Sequence, residues 1–147
     1  MAGKGFKLDW KGADARERVV KAIIGGVNEF HLEVEREAKR ILQPKGKGVI
    51  TGTLRRSIHA DSPTYTWGSD DVVPSKGTPE RKGTGEMPLE QGNTVVGTIG
   101  SGLVYAMPVH EGHGSFAGYQ YITRGYEKVQ HKLPDKLKKH ARIQGMK

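Results

Sequence analysis

The chain has 147 residues, a net charge of +8 and no cysteine. This length predicts one domain with a modest core, because only 35% of the residues are hydrophobic while 21 are glycines. Without cysteine the chain has no disulfide, thiolate metal site or cysteine nucleophile. It also lacks an apolar run of about 18 residues and an apolar signal core, so we expect a soluble protein made in the cytoplasm, with no membrane partner.

The first part of the chain predicts an arm followed by one long helix. Residues 1–12 are rich in glycine and lysine, which indicates a flexible arm. From about Ala13, apolar residues recur at steps of three or four, and this period predicts a helix of roughly 30 residues that ends before Pro44. The apolar stripe of this helix consists of Ala15, Val19, Ile23, Val27, Phe30, Val34, Ala38 and Ile41. A helix of this length either covers a whole sheet or reaches beyond its own subunit.

Two glycines and three glutamates stand out within this helix. Gly25 and Gly26 cost about 1 kcal/mol each relative to alanine, which indicates either a kink or a close approach by another backbone. Glu29, Glu33 and Glu37 lie off the apolar stripe, and we expect them to be solvated.

A single helical turn is predicted after the long helix. Either Thr51 or Thr53 can N-cap this turn, since a threonine hydroxyl accepts a hydrogen bond from a free N–H of the first turn. The turn would place Leu54 and Ile58 inward and both Arg55 and Arg56 outward.

Two extended stretches predict a small sheet around a large loop. Residues 58–67 are typical of an extended segment, and β-branched residues alternate across 93–101. Residues 68–92 contain three prolines, several glycines and little apolar period, which predicts a long loop insertion.

A second long helix is predicted toward the C-terminus. Pro134 either kinks this helix or opens a new one at its first turn. We expect fraying from Ala141 onward and a basic tail over 139–147. The fold class is α+β, with the N-terminal and C-terminal helices of one domain, residues 13–138, packed on a small, mostly antiparallel sheet. The apolar positions of the second helix are Tyr119, Ile122, Tyr126, Val129, Leu133 and Leu137.

The run His110-Glu111-Gly112-His113 admits two interpretations, a metal site and a shaped turn. Helical zinc sites in metallopeptidases place two histidines four residues apart, whereas here the spacing is three and Gly112 argues against a helix. We therefore favour a turn without metal, in which Glu111 and His113 hydrogen-bond backbone groups.

No other motif predicts catalysis. Ser57, Ser101 and Ser115 lie in no glycine-flanked elbow, and Gly46-Lys47-Gly48 lacks the spacing of a phosphate loop. We therefore expect neither an enzyme nor a bound cofactor, with a metal-dependent hydrolase left as an alternative.

Nucleic-acid binding is the second alternative, because many positive charges lie near the C-terminus. Phosphates attract such clusters, and Arg55 and Arg56 could add to them, with Tyr119, Tyr121 and Tyr126 stacking on bases. A solvated helix face explains the same charges, and tyrosines at helical spacing are more often core. The C-terminal basic residues are Lys128, Lys132, Lys136, Lys138, Lys139, Arg142 and Lys147.

Three blocks in a fixed order resemble the tail-component family of long-tailed bacteriophages. Thr51–Ile58 (TGTLRRSI) is similar to that family's T-G-x-L-R-x-S-I signature, and Tyr105–Gly112 (YAMPVHEG) is similar to its Y-A-x-x-V-E-x-G block. Tyr121–Tyr126 lies where the family has an aromatic-aliphatic pair opening its C-terminal helix. The chain departs from the pattern by its larger loop at 68–92, by His110 ahead of the glutamate, and by Gly125, where alanine is usual.

This resemblance implies a structural protein of the virion neck. Such a protein completes the tail and joins it to the head, as a homo-oligomeric ring around the DNA channel. The implied partners are further copies of the chain, the tail tube or tail terminator protein, the head-closure or connector protein, and DNA in the channel. A hexamer is expected by analogy with tail symmetry, assembled in the host cytoplasm and located in the virion.

The resemblance also implies roles for individual residues. The helical turn would dock the long helix against the sheet through Leu54 and Ile58, while Tyr105 and Ala106 would end a strand. Residues expected to hold the fold are Thr51, Gly52, Leu54, Ile58, Ala106 and Gly112. Candidates for subunit interfaces are Arg55, Arg56, Trp67, Tyr105, His110, Glu111 and His113.

Overall fold

A computed structural model describes residues 12–42, 52–60, 89–91, 94–101, 103 and 105–146. Within these ranges two helices are followed by four short antiparallel strands and then by three further helices, and this segregation confirms the α+β class. A 3-10 turn, Gln130–Lys132, joins the last two helices. The elements are α1 (Gly12–Ile41), α2 (Thr53–Ser57), β1 (His59–Ala60), β2 (Leu89–Gln91), β3 (Thr94–Val96), β4 (Ile99–Gly100), α3 (Ala106–Glu111), α4 (Tyr121–Val129) and α5 (Leu133–Ile143).

The strands form two antiparallel pairs. In one, β1 pairs with β4, so that His59 lies opposite Gly100 and Ala60 lies opposite Ile99. In the other, β2 pairs with β3. The predicted strand over 93–101 is thus two short strands, and β2 lies inside the range predicted as a loop. The remainder of that loop lies outside the described residues.

The long helix and the second helical region were both predicted from apolar spacing. α1 ends at Ile41, as the position of Pro44 requires. Pro134 lies in the first turn of α5, which is one of the two outcomes predicted for it, because a proline there sacrifices no helical hydrogen bond.

α4 and α5 pack antiparallel along α1, and glycines allow the close contact. A Cβ on Gly26 would lie 3.1 Å from the Cα of Leu137, and a Cβ on Gly125 would lie 2.9 Å from the backbone N of Ala38. The close approach of another backbone, predicted for the glycine pair of α1, is therefore confirmed at Gly26, whereas Gly25 faces the His140 side chain. Gly125, where the family that the sequence resembles usually has alanine, likewise allows α4 to approach the backbone of α1.

α5 extends beyond its predicted end. It continues past residue 139, where the sequence predicted a basic tail, and past Ala141, where it predicted fraying. The helix continues because His140 lies over Gly25 and Lys139 pairs with Glu29, so the last turns remain in contact with α1.

The cap predicted for α2 is wrong. The N-cap is Gly52, with φ of 69°, and no side chain there accepts a hydrogen bond. A left-handed backbone at this position favours glycine. The inward positions are as predicted, because Ile58 is fully buried and Leu54 packs against the same cluster.

The strand end predicted at Tyr105 and Ala106 is also wrong. These residues begin α3, and the Ala106 N–H donates to the Leu103 carbonyl at 2.9 Å. Pro108 falls in the first turn of α3, where its fixed φ favours a helix. The small Ala106 is buried, and its carbonyl accepts a hydrogen bond of 3.0 Å from the Tyr121 hydroxyl.

Two apolar clusters form the core on one half of α1. One contains Ala38, Leu42, Ile58 and Tyr121, and the other contains Phe30, Val34 and Val129. Ile99 and Ile122 pack against both, so the clusters form one continuous core along α4 and the β1–β4 pair.

Candidate interaction surfaces

The His-Glu-Gly-His run is the end of a helix followed by a turn. His110 and Glu111 belong to α3, contrary to the prediction of a turn throughout, and Gly112 ends the helix with φ of 100°. His113 and Phe116 then exchange two backbone hydrogen bonds of 2.9 Å. A Cβ on Gly112 would lie 2.2 Å from the Phe116 carbonyl oxygen, so only glycine fits this corner.

His110 packs against the core instead of facing a ligand. Its ring meets that of Tyr121 edge-on, with centroids 4.7 Å apart, and its Nε2 lies 3.3 Å from the Thr123 hydroxyl. Burial lowers the pKa of His110, and the nearby Glu111 carboxylate offsets only part of this effect. His110 is therefore neutral at pH 7 and acts as a packing residue.

The motif does not assemble a set of metal ligands. Glu111 and His113 are both exposed, while His110 is turned toward Tyr121. Within the described ranges, no three histidine, aspartate or glutamate side chains lie close enough together to bind one ion.

Of the two adjacent arginines, Arg56 lies close to Tyr105. Both arginines are half-buried, although the sequence predicted that they face outward. The Arg56 guanidinium folds over Gly52, and it lies near enough to Tyr105 to act on its pKa, which burial raises and the Arg56 charge partly lowers. Trp67 and Thr51 lie outside the described residues.

Beside them, α3 presents a small exposed surface, which we call the α3 knob and define as Met107, Pro108 and Glu111. The Met107 side chain is 62% exposed, and Glu111 follows it by four residues, on the same face of the helix. Tyr105, 43% exposed, adjoins the knob at the start of α3. Methionine and tyrosine exposed together are typical of protein interfaces.

The most extensive polar contact in the described residues is a ladder of ion pairs between α1 and the C-terminal helices. Glu37 meets Lys128 at 2.6 Å, and Glu33 meets Lys132 at 2.9 Å. Lys136 bridges Glu33 and Glu29. The members of this glutamate–lysine ladder are Glu29, Glu33, Glu37, Lys128, Lys132, Lys136 and Lys139.

Glu29 ends the ladder with three cationic or polar partners. Lys136 lies 2.8 Å away, Lys139 2.9 Å and the His140 Nε2 3.0 Å. Hydrogen bonds from Lys136 and then Lys139 lower the pKa of Glu29 to about 2, while bonds to Glu29 and Glu33 raise that of Lys136. These groups therefore carry full charge at neutral pH.

The prediction that Glu29, Glu33 and Glu37 are solvated is wrong. Glu37 is only 7% exposed, and the other two are half-buried. A signal was present in the sequence, because glutamates spaced by four on α1 face lysines spaced by four at 128, 132 and 136. This matched spacing predicts ion pairs only if the two helices are known to pack antiparallel.

Among the residues that the structure describes, none covers the N-terminal end of α1. Residues 13–19 are all exposed, although the apolar stripe runs through Ala15 and Val19. Where α5 ends against α1, an open cavity of about 280 Å³ lies between the helices. This apolar groove is lined by Val19, Ala22, Ile23, Leu137, Lys138, Ala141 and Met146.

No protein-family model matches this chain, and neither a curated protein nor a solved structure matches it. In the part of the chain that the structure describes, no helix is both long enough and apolar enough to cross a bilayer.

Proposed function

We propose that this protein is a structural subunit of the bacteriophage neck. In this role, copies of the chain form a ring that completes the tail and joins it to the head connector around the DNA channel. The ring would bind the tail tube or tail terminator protein on one side and the head-closure protein on the other. The role requires no catalysis and no cofactor.

The uncovered end of α1 is the observation that carries this proposal. An amphipathic helix is expected to bury its apolar stripe, yet Val19 is 43% exposed and Ala15 is exposed. Ile23 is only half-buried in the apolar groove. A second protein surface would cover this stripe, and in a ring each neighbouring copy supplies one.

The packing around the sequence blocks supports the resemblance to the tail-component family of bacteriophages. Ile58 lies in one cluster with Ala38 of α1, and Leu54 and Ile99 of β4 pack against it. This arrangement supports the docking of the long helix against the sheet that the resemblance to the T-G-x-L-R-x-S-I signature implies. Gly112 occupies a corner that admits no side chain, and the Y-A-x-x-V-E-x-G block has glycine at this position. These residues therefore have structural reasons to occur in this order.

Nucleic-acid binding is the second candidate, and the ion pairs weaken its main support. Lys128, Lys132 and Lys139 neutralise glutamates of α1 instead of standing free on the surface. These lysines remain 64%, 47% and 59% exposed, so a phosphate could still compete for them.

The test is the mass of the full chain in solution, measured by light scattering alone and after mixing with purified tail tubes. We expect a defined multimer in at least one condition, insensitive to chelators. A chain that stays monomeric in both would contradict the proposal. Electron micrographs of particles made without the protein should then show separate heads and tails, and normal joined virions would refute the neck role.

The same sample separates the alternatives. A nucleic-acid-binding protein should bind duplex DNA with an affinity that falls steeply as salt rises, because each phosphate contact releases counterions. A metal-dependent hydrolase should contain stoichiometric metal and lose activity in the variant Glu111→Gln. The neck proposal predicts neither result.

A further inference from the structure

The α3 knob and the apolar groove lie toward opposite ends of α1. The knob adjoins the cluster that contains Ala38 and Tyr121, through Val109 and the Tyr121 hydroxyl. The groove contains Val19 and Ile23. Between Ile23 and Ala38, α1 rises about 22 Å at 1.5 Å per residue.

We propose that the α3 knob of one copy docks in the apolar groove of the next copy, with Met107 inserted between α1 and α5. This inference rests on the proposed function, because it names the contact by which the subunits of the ring join. The groove is thus occupied by the α3 knob of a second copy of this chain.

The sizes of the two surfaces agree. The cavity of about 280 Å³ accommodates one long apolar side chain and part of a second. Met107 is 62% exposed, and the rigid Pro108 stands next to it. Methionine suits such a site, because its unbranched, flexible side chain fills irregular apolar space.

The charges also agree. Lys138 lines the groove, and Arg142 follows it by four residues on the same side of α5. Glu111 follows Met107 by four residues on α3, so insertion of Met107 brings the carboxylate toward these cations. This pairing fixes the orientation of the knob more than it adds affinity.

A contact between two different surfaces has a consequence for assembly. Each copy retains a free groove after its own knob is seated, and a free knob after its groove is filled. Such head-to-tail contacts continue from copy to copy and close into a ring when the rotation allows. A symmetric dimer, in which both copies use the same patch, is not expected.

Two single variants and their mixture test this contact. Met107→Asp destroys the knob, Val19→Asp destroys the groove, and both positions are exposed, so we expect both variants to fold. In the condition that gives the wild-type multimer, each variant alone should be monomeric. An equimolar mixture should give dimers and nothing larger, because one intact knob meets one intact groove.

Charge reversal supplies an independent readout. Glu111→Lys and Lys138→Glu should each weaken assembly, by about tenfold in the dissociation constant. The double variant should recover most of the loss, since it restores an opposite pair across the interface. The matched control is Leu32→Asp, which alters an apolar α1 residue that is 45% exposed outside the groove, and it should leave the multimer intact.

The outcomes separate this inference from the proposed function. A wild-type multimer that persists in both Met107→Asp and Val19→Asp contradicts the knob-in-groove contact and leaves the ring proposal standing. Mixtures that stay monomeric, or that form large multimers, also contradict it. A wild-type chain that never multimerises, alone or on tail tubes, overturns both.

Discussion

The two ends of α1 have the same apolar period but different surroundings. From Phe30 to Leu42 the stripe is covered by α4, by α2 and by the β1–β4 pair, and Val34 is 1% exposed. From residue 13 to residue 19 every residue is exposed. The period therefore predicts which face of the helix is apolar, whereas the length of the opposing helices decides how much of that face is buried within one chain.

The largest expected effect comes from filling the close contact at the covered end. The substitution Gly125→Leu places a side chain where even a Cβ would lie 2.9 Å from the Ala38 nitrogen and 3.1 Å from the Val34 oxygen. Because both atoms belong to backbone, α4 must move away from α1, at a cost of about 3 kcal/mol. Urea denaturation measures this loss. Arg124→Leu, an exposed neighbour on α4, is the control and should leave the midpoint nearly unchanged.

A matched pair of valines tests the comparison directly. Val34→Ala removes buried methyl groups at the covered end and should lower the free energy of unfolding by about 2 kcal/mol. Val19→Ala makes the same chemical change at the uncovered end, where the side chain is 43% exposed. Its effect should lie within about 0.5 kcal/mol of zero, because alanine also has the higher helix propensity. Equal losses at the two sites, in the monomer, would show that the N-terminal end is covered after all.

The glutamate–lysine ladder gives a smaller effect in the middle of α1. Glu29→Gln weakens the contacts with Lys136, Lys139 and His140. It should lower the free energy of unfolding by about 1 kcal/mol. This value is at the upper end of the range for exposed ion pairs, because several charged groups contact one carboxylate. Glu17→Gln is the control, since the pair of Glu17 with Lys21 is exposed. Denaturation at pH 7 in low and high salt should show a salt-sensitive loss for Glu29→Gln alone.

The stabilisation that Glu29 provides should also depend on pH. The pKa of Glu29 is held at about 2, below its ordinary value of 4.5, so the unfolded chain binds a proton at a higher pH than the folded chain does. Its stabilisation is fully present above pH 4.5 and is lost as the pH falls toward 2. The difference in stability between wild type and Glu29→Gln should shrink over that window, and a constant difference would contradict the assignment.

Apolar spacing and the prolines predict the helices well. The end of α1 before Pro44 and the start of α5 around Pro134 depend on local backbone geometry, which the sequence encodes directly. The burial of Leu54 and Ile58 was likewise predictable, because both lie on one face of a short turn.

The predictions that failed depend on distant residues. The start of α3 at Ala106 is held by the Tyr121 hydroxyl, which lies 15 positions along the chain. The burial of Glu37 depends on Lys128, and a single helix read by itself gives no hint of that partner. The apolar groove was not predictable for the same reason, because it is formed where α5 ends and α1 continues, and these helices are distant in sequence.

The smallest expected effect comes from the titration of His110, which packs near the covered end of α1. Burial lowers the pKa of His110, so between its folded and ordinary values the unfolded chain carries a proton that the folded chain does not. Stability from this residue is present above pH 6.5 and is lost as the pH falls below it. His110→Gln should therefore flatten the stability profile below pH 6.5. An identical slope in wild type and His110→Gln would show that the ring titrates as freely in the folded chain as it does in water, and the packing of His110 on Tyr121 would then be wrong.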